Sequence, residues 1–340
     1  MVNTQSAMTS FHIADILVQP PLILAPMAGV TNRAFRVMCK RAGGVGLVTT
    51  EMFSAYAVKF RDPGTNTMID WTDEERPVAV QVFGGDPETV AIAARRLQDA
   101  GADIVDLNFG CPVPKVAKSG SGAVLLKDID RAREILTAAR RAVAVPLTIK
   151  TRVGWGIGEK QVLDLARTAE ACGVDAITVH GRSAAQGYSG RADWDIIAEV
   201  KASVRVPVIA NGDITSPQHA KEVFDRTGCD GVMIGRGALG DPWVFRRIAE
   251  YLAKGRIMPG PTAAEKLAAA REHALLLREI LGERRAAREM RGHLIWYIKG
   301  MPGAPKLRAQ IMTTGSIEEI EGILRQAQDA LLEETSEACR

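Results

Sequence analysis

Short, nearly continuous apolar runs alternate with longer amphipathic stretches between residues 20 and 240, and the punctuation between them repeats. A helical stretch ends in Gly, an Asp or small residue follows, and an apolar run begins. Ala100-Gly101-Ala102-Asp103, Cys172-Gly173-Val174-Asp175 and Thr227-Gly228-Cys229-Asp230 each have this form. Glycine at such a helix end is free to take the left-handed conformation that stops the helix. Elsewhere a proline opens the run, at Pro77, Pro146 and Pro207, where a strand's first residue can spare its N–H.

Runs this short and apolar suit strands buried on both faces, and the intervening stretches 88–100, 131–142, 160–172 and 217–227 have helical periodicity. The runs 22–24, 46–49, 78–83, 104–108, 147–151, 176–179, 208–210 and 232–234 predict about eight strands. That number closes a (β/α)8 TIM barrel. A doubly wound open sheet is the alternative, but no G-x-G-x-x-G follows the first strand. Past Pro242-Trp243 the repeat stops. Residues 255–261 hold two Gly and two Pro and read as a linker. Thr262 then starts a helix with Glu265 as its capping-box partner. Stretches 262–282, 284–299 and 317–334 read as helices. The expected architecture is α/β, with a barrel domain over 11–254 and a small α-helical domain over 262–335.

The length of 340 residues accommodates both units, and 46% hydrophobic with 24% charged residues permits a sizeable core. A balance of 43 basic against 40 acidic residues gives a net +3, too small to argue for nucleic acid unless opposite patches cancel. The longest apolar stretches, such as 21–30, fall short of the ~18–20 residues needed to span a bilayer. Residues 1–10 lack the basic-then-apolar pattern of a leader. Cys39, Cys111, Cys172, Cys229 and Cys339 form an odd set without a C-x-x-C pair, which suits neither a disulfide framework nor a structural zinc site. A cytoplasmic protein with free thiols is expected.

Barrel chemistry sits at the C-terminal ends of the strands. Here those ends carry Pro26-Met27-Ala28, Glu51, Gln81, Asn108 and Cys111, Lys150 and Arg152, His180 and Arg182, Asn211 and Asp213, and Gly235-Arg236. Any one of these alone reads as a capped strand end or a satisfied buried polar group. Their convergence on one face points to a site. Asn211-Gly212-Asp213 and Gly235-Arg236-Gly237-Ala238 put glycines and an Arg where barrels bind phosphate. No Walker A sequence or paired metal-ligand spacing is present, so neither nucleotide hydrolysis nor metal catalysis has support.

Lys150, ending a buried strand, needs an anionic neighbour, and a flavin that becomes anionic on reduction would supply one. Cys111 follows a strand in Asn108-Phe109-Gly110-Cys111-Pro112 and precedes a loop holding Lys115, Lys118 and 119–122. An ordinary thiol ionises near ~8.5 and is protonated at neutral pH, which suits a proton donor better than a nucleophile. Lys115 and Lys118 either lower that value or meet a phosphodiester backbone. Cys39, Cys172 and Cys229, in or beside helical stretches, read as packing.

Together these motifs resemble the tRNA-dihydrouridine synthases, closest to the bacterial B type. The matching segments are Ala25-Pro26-Met27-Ala28-Gly29-Val30-Thr31, Gln81-Val82-Phe83-Gly84, Asp106-Leu107-Asn108-Phe109-Gly110-Cys111-Pro112, Lys150-Thr151-Arg152, Val179-His180-Gly181-Arg182, Asn211-Gly212-Asp213-Ile214 and Ile234-Gly235-Arg236-Gly237. Arg291-Gly292-His293 and Trp296-Tyr297-Ile298-Lys299-Gly300 extend the match into the tail.

The resemblance implies reduction of uridine in tRNA to 5,6-dihydrouridine by an FMN enzyme that draws electrons from NADPH. It implies that Pro26, Met27, Ala28 and Gln81 contact the flavin ring, with Lys150 at its electron-rich edge and His180 nearby. Asn211, Gly212, Asp213, Gly235 and Arg236 would hold the flavin phosphate, and Asn108 and Arg182 would face the extruded uracil. Hydride then reaches uracil carbon 6 from reduced FMN, and Cys111 delivers the proton to carbon 5. A small-molecule FMN oxidoreductase of the dihydroorotate dehydrogenase or ene-reductase kind would share the barrel and the Asn-x-x-Cys loop, but leaves the tail unexplained.

The weak net charge resolves into segments within that tail. Residues 265–308 carry ten basic and five acidic side chains, and residues 309–340 carry two basic and seven acidic. Arg284, Arg288 and Arg291 are spaced i, i+4 and i+7, so they share a helix face that can track a phosphate backbone.

Overall fold

The computed structural model describes residues 10–338, with side chains through Leu331. The reading of residues 1–9 as lacking a leader, the thiol of Cys339 and the charges beyond residue 331 lie outside what is described. An antiparallel hairpin, β1 (Phe11–Ile13) and β2 (Ile16–Val18), precedes eight parallel strands. These are β3 (Leu22–Leu24), β4 (Leu47–Ser54), β5 (Val78–Phe83), β6 (Ile104–Phe109), β7 (Leu147–Arg152), β8 (Ala176–His180), β9 (Val208–Asn211) and β10 (Gly231–Ile234). They close in sequence order, with β10 returning to pair with β3. The expected TIM barrel is the fold.

Strand parity sets what each residue faces, because side chains alternate between the two sides of the sheet. Ile23, Leu47, Ala79, Ile104, Ala176, Ile209 and Met233 form the interior layer, closed from below by Ile13 and Val18 of the hairpin. Their neighbours, such as Val80, Val105, Leu107, Ile149 and Val179, join the larger core beneath the surrounding helices. Two residues beyond the interior layer, the same parity delivers Gln81, Asp106 and Asn211, and two further on Asn108 and His180. The polar strand ends therefore crown columns whose lower members are apolar.

One strand departs from expectation. β4 continues to Ser54 through a register shift between Thr49 and Met52. The polar Thr49-Thr50-Glu51 ends the apolar run in sequence, yet the strand resumes and buries Phe53 in the core. The hairpin was not expected either.

Four helices make up the tail: Ala263–Leu281, Glu283–Tyr297, Ala304–Thr313 and Ile317–Ala338. The capping box at Thr262 is formed, with Thr262 Oγ1 accepting from Glu265 N at 3.2 Å and Glu265 Oε2 accepting from Thr262 N at 2.7 Å. The third helix was not expected; it is short, and Leu307 and Ile311 are its buried residues. Tail residues Leu267, Ala270, Leu277, Met290 and Leu294 pack in one cluster with Ala34 and Met38 from the barrel's first helix, Arg33–Ala42. Gly240, at φ +66°, lies so close to the tail that a Cβ there would overlap the Trp296 carbonyl.

Two buried histidines sit at this seam. His273 and His293 have ring centroids 4.4 Å apart, both flank Phe35, and the Tyr297 hydroxyl lies 3.4 Å from His273 Nδ1. Neither Nε2 has a hydrogen-bond partner among the described residues. Burial holds both rings neutral, lowering His293 to about 4 and His273 well below the ordinary 6.5. A histidine protonated more readily when unfolded destabilises the fold as pH falls through its unfolded value. Stability is expected to decline between pH 6.5 and 4, and the decline should be shallower in His293→Phe, as read by denaturant titration at each pH.

Candidate active site

A cavity of about 800 Å³ opens at the C-terminal ends of the strands. Pro26, Met27 and Ala28 form one side, in a turn held by Thr31 Oγ1, which accepts from Met27 N at 3.0 Å. Glu51 accepts from Gly29 N and fixes the same turn; burial raises the pKa of its carboxyl despite that bond.

Across the floor runs a chain of side-chain hydrogen bonds. Thr148 Oγ1 and Gln81 Nε2 each donate to the Asp106 carboxylate at 2.6 Å. Gln81 Oε1 accepts from Asn108 Nδ2 at 2.7 Å, and Asn108 Oδ1 accepts from the backbone N–H of Gly110 and Cys111 at 3.1 and 2.8 Å. Only one amide orientation of Gln81 and of Asn108 satisfies this sequence, and Asp106, with acceptors only, dictates it. Asn108 thus spends its carbonyl on the loop that carries Cys111. Asp106 is buried, and desolvation raises its pKa against the two bonds. Asp106→Leu removes both acceptors and leaves Gln81 Nε2 and Thr148 Oγ1 as buried donors without them. A melting-point drop equivalent to ~1–3 kcal/mol, with slower product formation, is expected.

Lys150 rises between this chain and His180. Its ammonium has no hydrogen-bond or ion-pair partner among the described residues, and burial first, then Arg152, lowers its pKa to about 8. His180 is lowered to about 2, by burial and then by the charges of Lys150, Arg152, Arg182 and Arg236, so the ring is neutral at any physiological pH. Arg152 ties loops together, donating to Gly110 O at 3.0 Å and to Ser183 O and Gly187 O at 2.9 Å.

Asn211, Gly212, Asp213, Gly235 and Arg236 line the opposite wall. Among the described residues, the N–H groups of Gly212, Asp213, Gly235, Arg236 and Gly237 have no protein acceptor. Gly212 sits at φ +120°, with its Cα so near His180 that a Cβ would lie 2.9 Å from the ring. Asp213 is turned away from ligand duty: its carboxylate accepts from Arg182 at 2.8 Å and Arg236 at 3.4 Å. Arg182 also donates to Ser189 O and Gly190 O, while its Nη1 is buried without a partner among the described residues. Arg182 lies behind the wall rather than on it.

Cys111 is half-buried on the cavity wall with no hydrogen bond to its thiol among the described residues, while Lys115 and Lys118 are exposed on the loop beyond. Cys39 and Cys229 are buried, and burial raises their thiol pKa values, Cys229 to about 11.

Tyr188, Trp296 and Lys299 also line the cavity and are among the residues that carried no expected role. Tyr188 is 64% exposed with Arg236 stacked 4.5 Å from its ring centroid. Trp296 and Lys299 come from the tail. Of the tail arginines, Arg284 and Arg288 are exposed, whereas Arg291 bends inward and donates to Thr314 O at 3.0 Å. The helix face is shared as expected, but one of its three charges is turned to bracing the tail.

Residues of this kind fit a flavin mononucleotide. Unpartnered N–H groups beside Arg236 suit a phosphate, the unpaired Lys150 suits an anionic ring edge, and the volume lies within the ~300–1,000 Å³ usual for cofactor sites.

Fold and site define a (β/α)8 barrel with a ligand cavity bordered by its own helical tail. The family model for dihydrouridine synthase matches residues 23–334, and the chain belongs to that family. It is 41% identical over 327 residues to tRNA-dihydrouridine synthase B of Xanthomonas campestris pv. campestris, covering 94% of this chain and 96% of the relative. It is 42% identical over 289 residues to tRNA-dihydrouridine synthase B of Pseudomonas aeruginosa, covering 85% and 87%. Among solved structures, histamine dehydrogenase from Rhizobium sp. 4-9 matches with a TM-score of 0.57 at 14% identity, over 79% of this chain and 51% of that one. A 2-naphthoyl-CoA reductase complex matches with 0.56 at 16%, over 74% and 52%. At such identities these likenesses speak to the barrel alone, and the chain spans about half of each structure.

Proposed function

We propose that the protein reduces uridines in tRNA to 5,6-dihydrouridine in the cytoplasm, using NADPH, with FMN bound in the barrel over 11–254 and tRNA docked on the helical domain over 262–335. One observation carries the reading: an unpaired ammonium, a set of unpartnered amides and a half-buried thiol face one cavity bordered by residues of the basic 265–308 segment of the tail. Bound FMN supplies the hydride that uracil carbon 6 receives. Cys111 holds the proton for carbon 5, on the face opposite the flavin. Lys150 stabilises negative charge at the ring edge, and neutral His180 offers a hydrogen bond without adding charge. Met27, Ala28, Pro26 and Gln81 border the ring, while the backbone at Gly212, Asp213, Gly235 and Arg236, with Asn211, takes the phosphate. Asn108 positions the Cys111 loop beside the uracil, and Arg182 holds the Asp213 carboxylate behind the wall.

The test is the purified protein with FMN, NADPH and unmodified tRNA transcripts, followed by nucleoside analysis. Dihydrouridine should appear; a flavin that NADPH reduces and no tRNA reoxidises would favour the small-molecule alternative. Arg284 and Arg288 should each neutralise about one phosphate. Replacing both with Ser is expected to flatten the log K against log salt slope for tRNA by about 1.5 units without loss of flavin. Arg291→Ala should act on tail stability instead.

A further inference from the structure

The barrel supplies most of the cavity, but Trp296 and Lys299 of the tail complete its rim. Their positions are fixed from two sides. The Trp296 backbone is pressed against Gly240, with no room for a side chain there, and the adjoining Tyr297 and Ile298 are buried in the seam. The Trp296 indole is partly exposed and faces the same space as Cys111 and Asn108, with the Lys299 ammonium 5.5 Å from its ring centroid. An aromatic face and a mobile cation at the lip of a cavity match one ligand chemistry, a nucleobase with its phosphate.

We infer that Trp296 and Lys299 bind the nucleotide adjacent to the target uridine, the indole stacking on its base and the ammonium pairing with its phosphate. This rests on the tRNA reading above. A dinucleotide reductant has the same chemistry, but the cationic surface favours a strand. Arg284 and Arg288 are exposed on the helix that leads to Trp296, a span of about 18 Å at 1.5 Å per residue. Phosphates along a strand can occupy such a track, whereas the two of a pyrophosphate are adjacent. The pair would therefore hold the strand at the point where one base leaves the stack for the cavity.

The experiment compares Trp296→Ala, Trp296→Phe, Lys299→Ala and Lys299→Arg in the flavin-loaded, full-length protein. Trp296→Ala is expected to raise the KM for tRNA about 5- to 100-fold, and Trp296→Phe to restore most of it. Lys299→Ala should lower the salt slope by about 0.7, with Lys299→Arg near wild type. Flavin content, melting temperature and the rate of flavin reduction by NADPH check that each variant is folded, and they should be unchanged. Since Lys299 is exposed beyond the helix end, its variants keep the test decisive if Trp296→Ala misfolds. Unchanged tRNA KM and salt slope in folded variants would overturn the inference, as would a raised KM for NADPH, which would give the rim to the reductant. A wild-type protein that makes no dihydrouridine on any tRNA fails differently: it removes the functional reading, and this inference with it.

Discussion

Cys111→Ala is expected to retain FMN and accept electrons from NADPH at the wild-type rate, yet form dihydrouridine about 10²- to 10⁴-fold more slowly. That range is the usual cost of losing a positioned general acid. The backbone of residue 111 is tied to Asn108 Oδ1, and its carbonyl accepts from Ala123 N at 3.0 Å, so the loop keeps its place without the thiol. Stopped-flow reoxidation of the reduced flavin by tRNA separates the steps. Reoxidation at the wild-type rate would refute the assignment. Cys172→Ala is the control, since its thiol lies away from the cavity, 3.6 Å from Thr137 Oγ1.

The second large effect belongs to Lys150. Removing an unpaired ammonium beside a ligand anion costs a charge-assisted bond of ~1.5–3 kcal/mol, so Lys150→Met should bind reduced FMN about 10- to 100-fold more weakly. The wild type should also show a pH signature. Its lysine titrates near 8 without ligand, and an adjacent anion raises that value. Binding then takes up a proton above pH 8. Affinity for reduced flavin is therefore constant below pH 8 and falls up to tenfold per unit above it. Anaerobic titration from pH 7 to 9.5 would reveal the slope, and the Met variant should lack the Lys150 contribution. Equal affinities and slopes in both proteins would place the ring edge elsewhere.

The barrel was legible because its signals are local: a left-handed glycine such as Gly228 at a helix end and an apolar strand after it. The continuation of β4 past Thr49 escaped because a bulge lets a polar triplet sit inside a strand, and a register shift depends on the neighbouring strand. At the site, parity made Gln81, Asn108 and His180 readable as inward residues in columns that begin with apolar Ala79, Ile104 and Ala176. The same parity aims Asp106 inward two residues before Asn108, and this was the available signal for its orienting role. Asp213 and Arg291 show where residue type misleads. Each has the charge expected of a binding residue, but partners remote in sequence, Arg182 and Thr314, claim it. Trp296 joins the cavity through the docking of two units, which no local pattern encodes.

The closeness of Gly240 to Trp296 ties the mouth of the cavity to the seam between barrel and tail. The tail's core runs into the barrel through Ala34 and Met38, and its rim residues are registered against a bare backbone. A methyl group at position 240 would meet the Trp296 carbonyl, so Gly240→Ala would displace that backbone and shift the rim relative to the cavity floor. The mouth is thus shaped from both sides of the seam, and a single substitution at Gly240 can alter it without touching a residue that lines the cavity.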